Sequence, residues 1–262
     1  MITRLTELDK AEVFQYIGDE RGKCLYMYLD ILKFGLNIAE VSVWAQRVNH
    51  KIVALMMKYH NGFHIYAKRG DVICNEIIDL IKRLHPSLIC GEKRMVQLLT
   101  PSLPEYGAEY GVVYKFSAPH IHFGGADIRR ARSEDFSQIA QLLKEDEDYG
   151  AAFTCEELEL QFRTRQEIGM SRSLVLYDGE EVIGHVATGA ESEDIATVNG
   201  LVVKKNHRRQ GLATKLLCSL CSVLQSEGKD VFSMVYVMPS ANLHEKVGFS
   251  KYCDWGKLYL HV

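Results

Sequence analysis

No apolar run in the 262 residues is long enough to span a bilayer, and the start, Met1-Ile2-Thr3-Arg4-Leu5-Thr6-Glu7, is polar where a secretory leader would be apolar. The expectation is a cytoplasmic protein with no membrane partner. Basic excess is also missing: Lys+Arg 31 against Asp+Glu 34 gives a formal charge of −3. A general nucleic-acid binder needs a basic face, so no nucleic-acid partner is expected. The seven cysteines are scattered at Cys24, Cys74, Cys90, Cys155, Cys218, Cys221 and Cys253, an odd count without the pattern of a disulfide framework. Cys218 and Cys221 lie inside an apolar helical pattern with no second pair, which reads as buried small side chains rather than a redox or zinc pair. His120 and His122 alternate in a strand or linker and read as ordinary histidines, so no metal site is expected. The dinucleotide fingerprint G-x-G-x-x-G and the P-loop ending G-K-[ST] are both absent.

The chain does have one stretch where three signals agree. Leu201-Val202-Val203 reads as the end of a strand, Lys204-Lys205-Asn206-His207-Arg208-Arg209-Gln210 as a basic turn, and Gly211-Leu212-Ala213 as the opening of a helix. A helix start leaves backbone N–H groups without intrahelical partners and carries about half a positive charge. Gly211 lets the backbone approach an anion, Ala213 keeps the first turn narrow, and the cations add longer-range attraction. The helix continues with Leu212, Leu216, Leu217, Leu220 and Leu224 on one face, and Gly228 ends it.

Arg208-Arg209-Gln210-Gly211-Leu212-Ala213 resembles the [QR]-x-x-G-x-[GA] signature of the GNAT acyltransferases, and Ala241-Asn242-Leu243-His244-Glu245-Lys246-Val247-Gly248-Phe249 is similar to that family's A-x-x-(L/I)-Y-x-K-x-G-F segment. The resemblance implies acetyl-CoA as cosubstrate. Its pyrophosphate would lie on the backbone of Arg208, Arg209, Gln210, Gly211, Leu212, Ala213 and Thr214, and its pantetheine arm along Leu201, Val202 and Val203. The implied activity is direct N-acetyl transfer to a primary amine of a small molecule or peptide, with a homodimer left open. Non-catalytic acyl-CoA binding and transfer of a longer acyl group are the alternatives. A third reading follows tandem GNAT-fold enzymes that transfer aminoacyl or fatty acyl groups.

The resemblance is most specific over the C-terminal half. Asp127 to Asp135 is similar to a GNAT opening strand and cap, with Ser133 as the cap ahead of Phe136, Ile139, Leu142 and Leu143. Thr154 and Glu157 form a capping box for a second helix. The acidic loop Glu145-Asp146-Glu147-Asp148-Tyr149 either attracts a cationic acceptor or is simply solvated. Strands at 173–177 and 182–187 flank an Asp178-Gly179 turn. The strand from Ile195 to Val203 has Gly200 as a bulge or close-approach point, and another strand follows at 230–237.

The N-terminal half reads as helix with breaks at Gly18 and Gly22, then strands at 41–47, 51–59 and 62–67. A helix capped by Asp71 follows, then a short strand at 87–90, a helix near Met95 to Leu99 and a strand at 111–116. The order of elements repeats that of the second half. The expected fold is therefore α/β: a GNAT domain over 125–262 with a mixed, mostly antiparallel sheet, and an N-terminal domain over 1–124 that is a degenerate copy. An unrelated α/β domain is the alternative there. The turn Lys68-Arg69-Gly70-Asp71 lacks the signature, and its aspartate disfavours coenzyme binding. The domain boundary is placed at Gly124-Gly125-Ala126.

For chemistry, an alkyl amine with a pKa of about 10 must lose a proton before attack. Counting back from Arg208, the family's frequent glutamate falls on Thr197, which cannot act as a base. Asn199, on the same strand face, is the candidate that orients a water toward Glu191, Glu193 or Asp194. His244 stands in place of the family tyrosine that protonates the leaving thiolate. It is either that acid or a solvent-facing helix residue, with Tyr236 and Ser240 as nearby alternatives.

Overall fold

The computed structural model describes residues 1–36, 38, 41–68, 71–118, 127–146 and 154–261. His120, His122, the 124–126 boundary, Arg69, Gly70 and the 147–149 part of the acidic loop lie outside the described residues. The fold is α/β with mostly antiparallel strand pairing, as the sequence predicts. Two compact units make up the chain. Unit 1 is 1–113 with 235–237 and 251–262, and unit 2 is 114–234 with 238–250.

In unit 1 the order is β1 (Ile2–Arg4), α1 (Lys10–Ile17), α2 (Leu25–Phe34), β2 (Val41–Val48), β3 (Lys51–Tyr59), β4 (Gly62–Tyr66), α3 (Cys74–Leu84), β5 (Leu88–Glu92), α4 (Lys93–Leu99) and the 106–113 portion of β6 (Tyr106–Phe116). Gly18 closes α1 at φ +52°, and Gly22 falls in a 3-10 turn, so both predicted breaks are real. Strands β1 to β4 pair antiparallel, while β4 and β5 are parallel. Strand β3 is buried on both faces because its alternation serves two cores. Leu55 and Met57 meet Val13, Ile17, Met27 and Ile31 of α1 and α2, whereas Ala54 and Met56 meet Ile77, Ile78 and Ile81 of α3. Each buried aliphatic side chain contributes about 1.5–3 kcal/mol, so the helices are held chiefly by these stripes.

Asp71 does not cap α3. The helix begins at Cys74, and the buried Gln46 of β2 takes the capping role: its Oε1 accepts from Ile73 N at 2.9 Å, and its Nε2 donates to Ile73 O at 3.0 Å and Glu76 Oε2 at 2.9 Å. Distant chain outcompetes a local cap here because the Gln46 amide satisfies donor and acceptor together.

Unit 2 repeats the order: β7 (Ile128–Arg130), α5 (Phe136–Lys144), α6 (Cys155–Glu167), β8 (Ser173–Asp178), β9 (Glu181–Glu191), β10 (Ile195–Val203), α7 (Leu212–Ser226), β11 (Asp230–Val235) and α8 (Met238–Val247). Strands β7 to β10 pair antiparallel, and β10 and β11 are parallel. Ser133 is not the cap of α5. It opens a 3-10 turn, and the buried Asp135 accepts from Arg132 N at 2.7 Å and from both terminal nitrogens of Arg129 at 2.8 and 2.9 Å. Unit 1 uses the same device ahead of α1, where Asp9 Oδ2 accepts from Thr6 N at 2.8 Å. The Thr154–Glu157 capping box forms as predicted, at 3.2 and 2.7 Å. Cys218 and Cys221 are buried on α7. Beneath that helix a Cβ on Gly184 would come 2.8 Å from Leu216 Cδ1, so the strand must be bare there.

The last strand, β12 (Phe249–Leu260), contributes its 251–260 portion to unit 1, pairing antiparallel with β5 from Trp255↔Glu92 to Tyr259↔Leu88. Trp255 and Leu258 are buried there. A chain ending at Ser250 loses this ladder and two large buried side chains, each worth about 2–5 kcal/mol. Near-UV circular dichroism should show unit 1 without fixed tertiary packing.

Candidate functional site

The site is built where β10 stops pairing with β11. The parallel register runs from Ile195↔Asp230 to Val198↔Ser233 and ends there, while the antiparallel register with β9 continues to Val203↔Gly184. Two irregularities accompany this. Between Thr197 and Val198 the register slips by one residue on β9, leaving Gly189 as the extra residue, and a second slip lies between Asn199 and Val202. A β-bulge twists and re-aims its strand, which turns the end of β10 aside.

Thr197 is 2% exposed, and its hydroxyl accepts from Ala190 N at 2.9 Å and donates to Ala190 O at 3.2 Å, replacing ladder bonds lost at the slip. Gly200 has φ +61°, and its carbonyl accepts from Nδ1 of the fully buried His185 at 2.7 Å. His185 Nε2 in turn accepts from Ser173 Oγ at 3.1 Å, and Phe162 of α6 meets the ring edge-on at 5.2 Å. A Cβ at Gly200 would come 3.1 Å from His185 Cε1, so the predicted bulge is also a close approach.

Beyond β10 comes a 3-10 turn, Lys205–His207, then Arg209 at φ +65° and Gly211 at φ +78°, and then α7. Among the described residues none accepts from the backbone N–H of Arg209, Gln210, Gly211, Leu212, Ala213 or Thr214. No acid stands in the first turn of α7. Arg208, Arg209, Gln210 and Gly211 are exposed or nearly so, whereas Val202 and Val203 are buried and Leu201 is half-buried. The result is a solvent-facing row of donors at a helix start, the arrangement that suits phosphate. Several neighbouring cations are already paired: Lys204 with Glu181, Lys215 with Asp127 at 3.1 Å, and Arg208 with Asp146 at 3.5 Å while its Nε donates to Val203 O at 2.8 Å. Asp146 of the acidic loop thus faces the turn.

The matching helix start in unit 1 is filled by the protein itself. Gln46 satisfies Ile73, and Glu76 in the first turn of α3 pairs with the Met1 ammonium at 3.0 Å. A carboxylate already complements that helix dipole, so a second anion is disfavoured.

Asn199 is exposed at the point where β10 leaves β11, and its Oδ1 accepts from Gly200 N at 2.8 Å. The carboxylates proposed for a relay are at the opposite end of the strand. Glu191 is opposite Ala196, and its Oε1 accepts from Arg172 Nε at 3.0 Å; Asp194 Oδ1 accepts from Ser192 Oγ at 2.7 Å. The structure does not bring them to Asn199.

His244 does not face solvent. It is 3% exposed on the same buried face of α8 as Ala241 and Val247, with Phe249 edge-on at 4.9 Å and Tyr114 at 6.2 Å. Nδ1 donates to Ser240 O at 2.7 Å, Nε2 is buried without a partner among the described residues, and burial pushes its pKa down. The ring is a neutral acceptor at Nε2. Sequence reasoning missed His185 and Phe162, because neither carries a motif and both matter only through the bulge they support.

Residues 136–249 match the family model of the acetyltransferase (GNAT) family. No curated protein matches the chain. Among solved structures, an acetyltransferase from the GNAT family from Colwellia psychrerythraea is similar over 100% of both chains, at 12% identity and TM-score 0.62. A GCN5-related N-acetyltransferase from Sphaerobacter thermophilus is similar over 98% of this chain and 94% of its own, at 13% identity and TM-score 0.65. A tandem GNAT protein from the clavulanic acid biosynthesis pathway is similar over 98% and 97%, at 13% identity and TM-score 0.60. At these identities the likeness is one of fold.

Burial lowers the His185 pKa to about 4 from 6.5. Between those values the unfolded chain binds the extra proton and the folded one does not, so stability falls as pH drops through this window. The loss reaches about 3 kcal/mol below pH 4, at about 1.4 kcal/mol per unit. Denaturant titrations of wild type and His185→Gln from pH 7 to 4 should differ by that slope. Residues 136–249 thus match the acetyltransferase (GNAT) family model, and the chain has the GNAT fold along its whole length.

Proposed function

We infer that the protein is an acetyl-CoA-dependent N-acetyltransferase acting on a primary amine of a small molecule or peptide, with both substrates bound at once. The observation that carries this reading is the open row of amides from Arg209 to Thr214 beside the end of β10 that has left β11. Those amides and Arg208 would hold the pyrophosphate, and the backbone of Leu201, Val202 and Val203 would hold the pantetheine arm. The coenzyme supplies the acyl group as a thioester, already activated for attack. Asn199, exposed where the strand opens, orients the amine or a water that takes its proton. A thiol of pKa about 8.5 leaves without a strong acid, so the reading does not depend on His244.

The fixed hydroxyl of Thr197 and the sequestered ring of His244 favour a second reading, a module that holds acyl-CoA without turnover. Calorimetry with acetyl-CoA followed by an amine screen separates the two. A Cβ on Gly211 would meet nothing within 4 Å, so a side chain there disturbs a ligand rather than the protein, apart from a strain of about 1–3 kcal/mol at positive φ. Gly211→Glu should weaken coenzyme binding at least about 100-fold and Gly211→Ala far less, since the glutamate adds charge against phosphate. Absence of binding by the wild type would overturn the reading, and binding without release of free thiol would favour the second. In the transferase, Asn199→Ala should lower kcat about tenfold with coenzyme affinity unchanged, as expected for loss of one hydrogen bond in the reaction.

A further inference from the structure

The arginines of unit 2 are mostly occupied by carboxylates. Arg129 pairs with Asp135, Arg132 with Glu134, Arg163 with Glu159, Arg172 with Glu191 and Glu227, and Arg208 with Asp146. Arg165 is different. Its positions three and four residues away on α6 and just beyond are Gln161, Phe162, Ile168 and Gly169, none acidic. Among the described residues no carboxylate pairs with it. Its Nη1 instead donates to Gly189 O at 2.8 Å, the carbonyl of the extra residue in the β9 bulge.

That anchor places the guanidinium on the β9 bulge, beside the Thr197–Asn199 stretch of β10. A Cβ on Gly189 would come 3.2 Å from Asn199 Cβ and 3.4 Å from its Nδ2. One turn earlier on α6, Phe162 lies over His185, and a Cβ on Gly200 would come within 4.0 Å of its ring. Arg165 and Phe162 therefore belong to one helix face that covers the bulge carrying Asn199. Arg165 is exposed, so its remaining N–H donors can meet a ligand. A planar guanidinium held at one nitrogen, with no carboxylate partner among the described residues, suits a carboxylate, which it can bind through two parallel hydrogen bonds.

We propose that Arg165 selects the acceptor: the amine substrate carries a carboxylate, as an α-amino acid does, and the guanidinium holds that carboxylate while the amine lies near Asn199. This rests on the transferase reading and adds the substrate class to it. It departs from one of the two readings of the acidic loop, attraction of a cationic acceptor, since Asp146 of that loop faces Arg208.

The test uses the full chain with acetyl-CoA and compares a set of α-amino acids with their carboxamides, following release of free thiol. Coenzyme affinity is measured separately by calorimetry. The wild type should prefer the acids over the amides by about 10- to 100-fold in kcat/KM, the range of a charged hydrogen-bonded pair. Arg165→Gln should erase that preference by raising KM for the acids while leaving the amides and coenzyme affinity unchanged, and Arg165→Lys should restore part of it. Thermal unfolding of each variant shows whether the bulge is intact. Equal use of acids and amides by the wild type, or equal loss of both in Arg165→Gln, would overturn the proposal and leave the transferase reading standing. A wild type that fails to bind acetyl-CoA would overturn both.

Discussion

The departure of β10 from β11 after Val198 is the constraint on which the rest of unit 2 depends. A strand laddered along both sides has no backbone groups to offer, and a strand that leaves one neighbour presents a row of them. The two slips against β9 go with that departure, and the buried pair of His185 and Gly200 holds the strand end in place. Thr197 compensates for the ladder bonds lost, so the opening leaves no orphaned backbone group at Ala190. The turn after Val203 can then deliver its amides to the same opening.

The two helix starts show how one topology is used in opposite ways. Ahead of α7 the chain avoids acids, and its amides have no acceptor among the described residues. Ahead of α3 it brings Gln46, Glu76 and the Met1 ammonium together, and the dipole is answered internally. The difference is one of electrostatic completeness: a helix start that is already neutralised has little to gain from phosphate.

Much of this architecture was legible in sequence, for identifiable reasons. Strands and helices with strong periodicity, such as Ile195 to Val203 and the leucine face of α7, are found where the pattern places them, because burial of one face dominates local preference. Gly200 as a bulge was legible because glycine inside a strand marks backbone that no other residue fits. The start of α3 was not, since Gln46 reaches it from far along the chain and overrides the local Asp71 signal. His244 aligned with a motif but not with its environment: the pattern gives a position on α8, and only packing against Tyr114 and Phe249 gives its protonation state. Arg165 carried no signal at all, because its interest lies in having no carboxylate partner among the described residues.

The contribution of β12 to unit 1 imposes an order on folding. During synthesis β5 is made well over a hundred residues before its partner Trp255 to Tyr259. At about 5–20 residues per second that is a delay on the order of ten to thirty seconds. Throughout it, the edge of β5 along Leu88 to Glu92 lacks the strand that finally covers it, and an unpaired edge invites pairing with other chains. The N-terminal unit is thus translated first but completed last, and its solubility in the interval is set by kinetics rather than by the stability of the finished sheet.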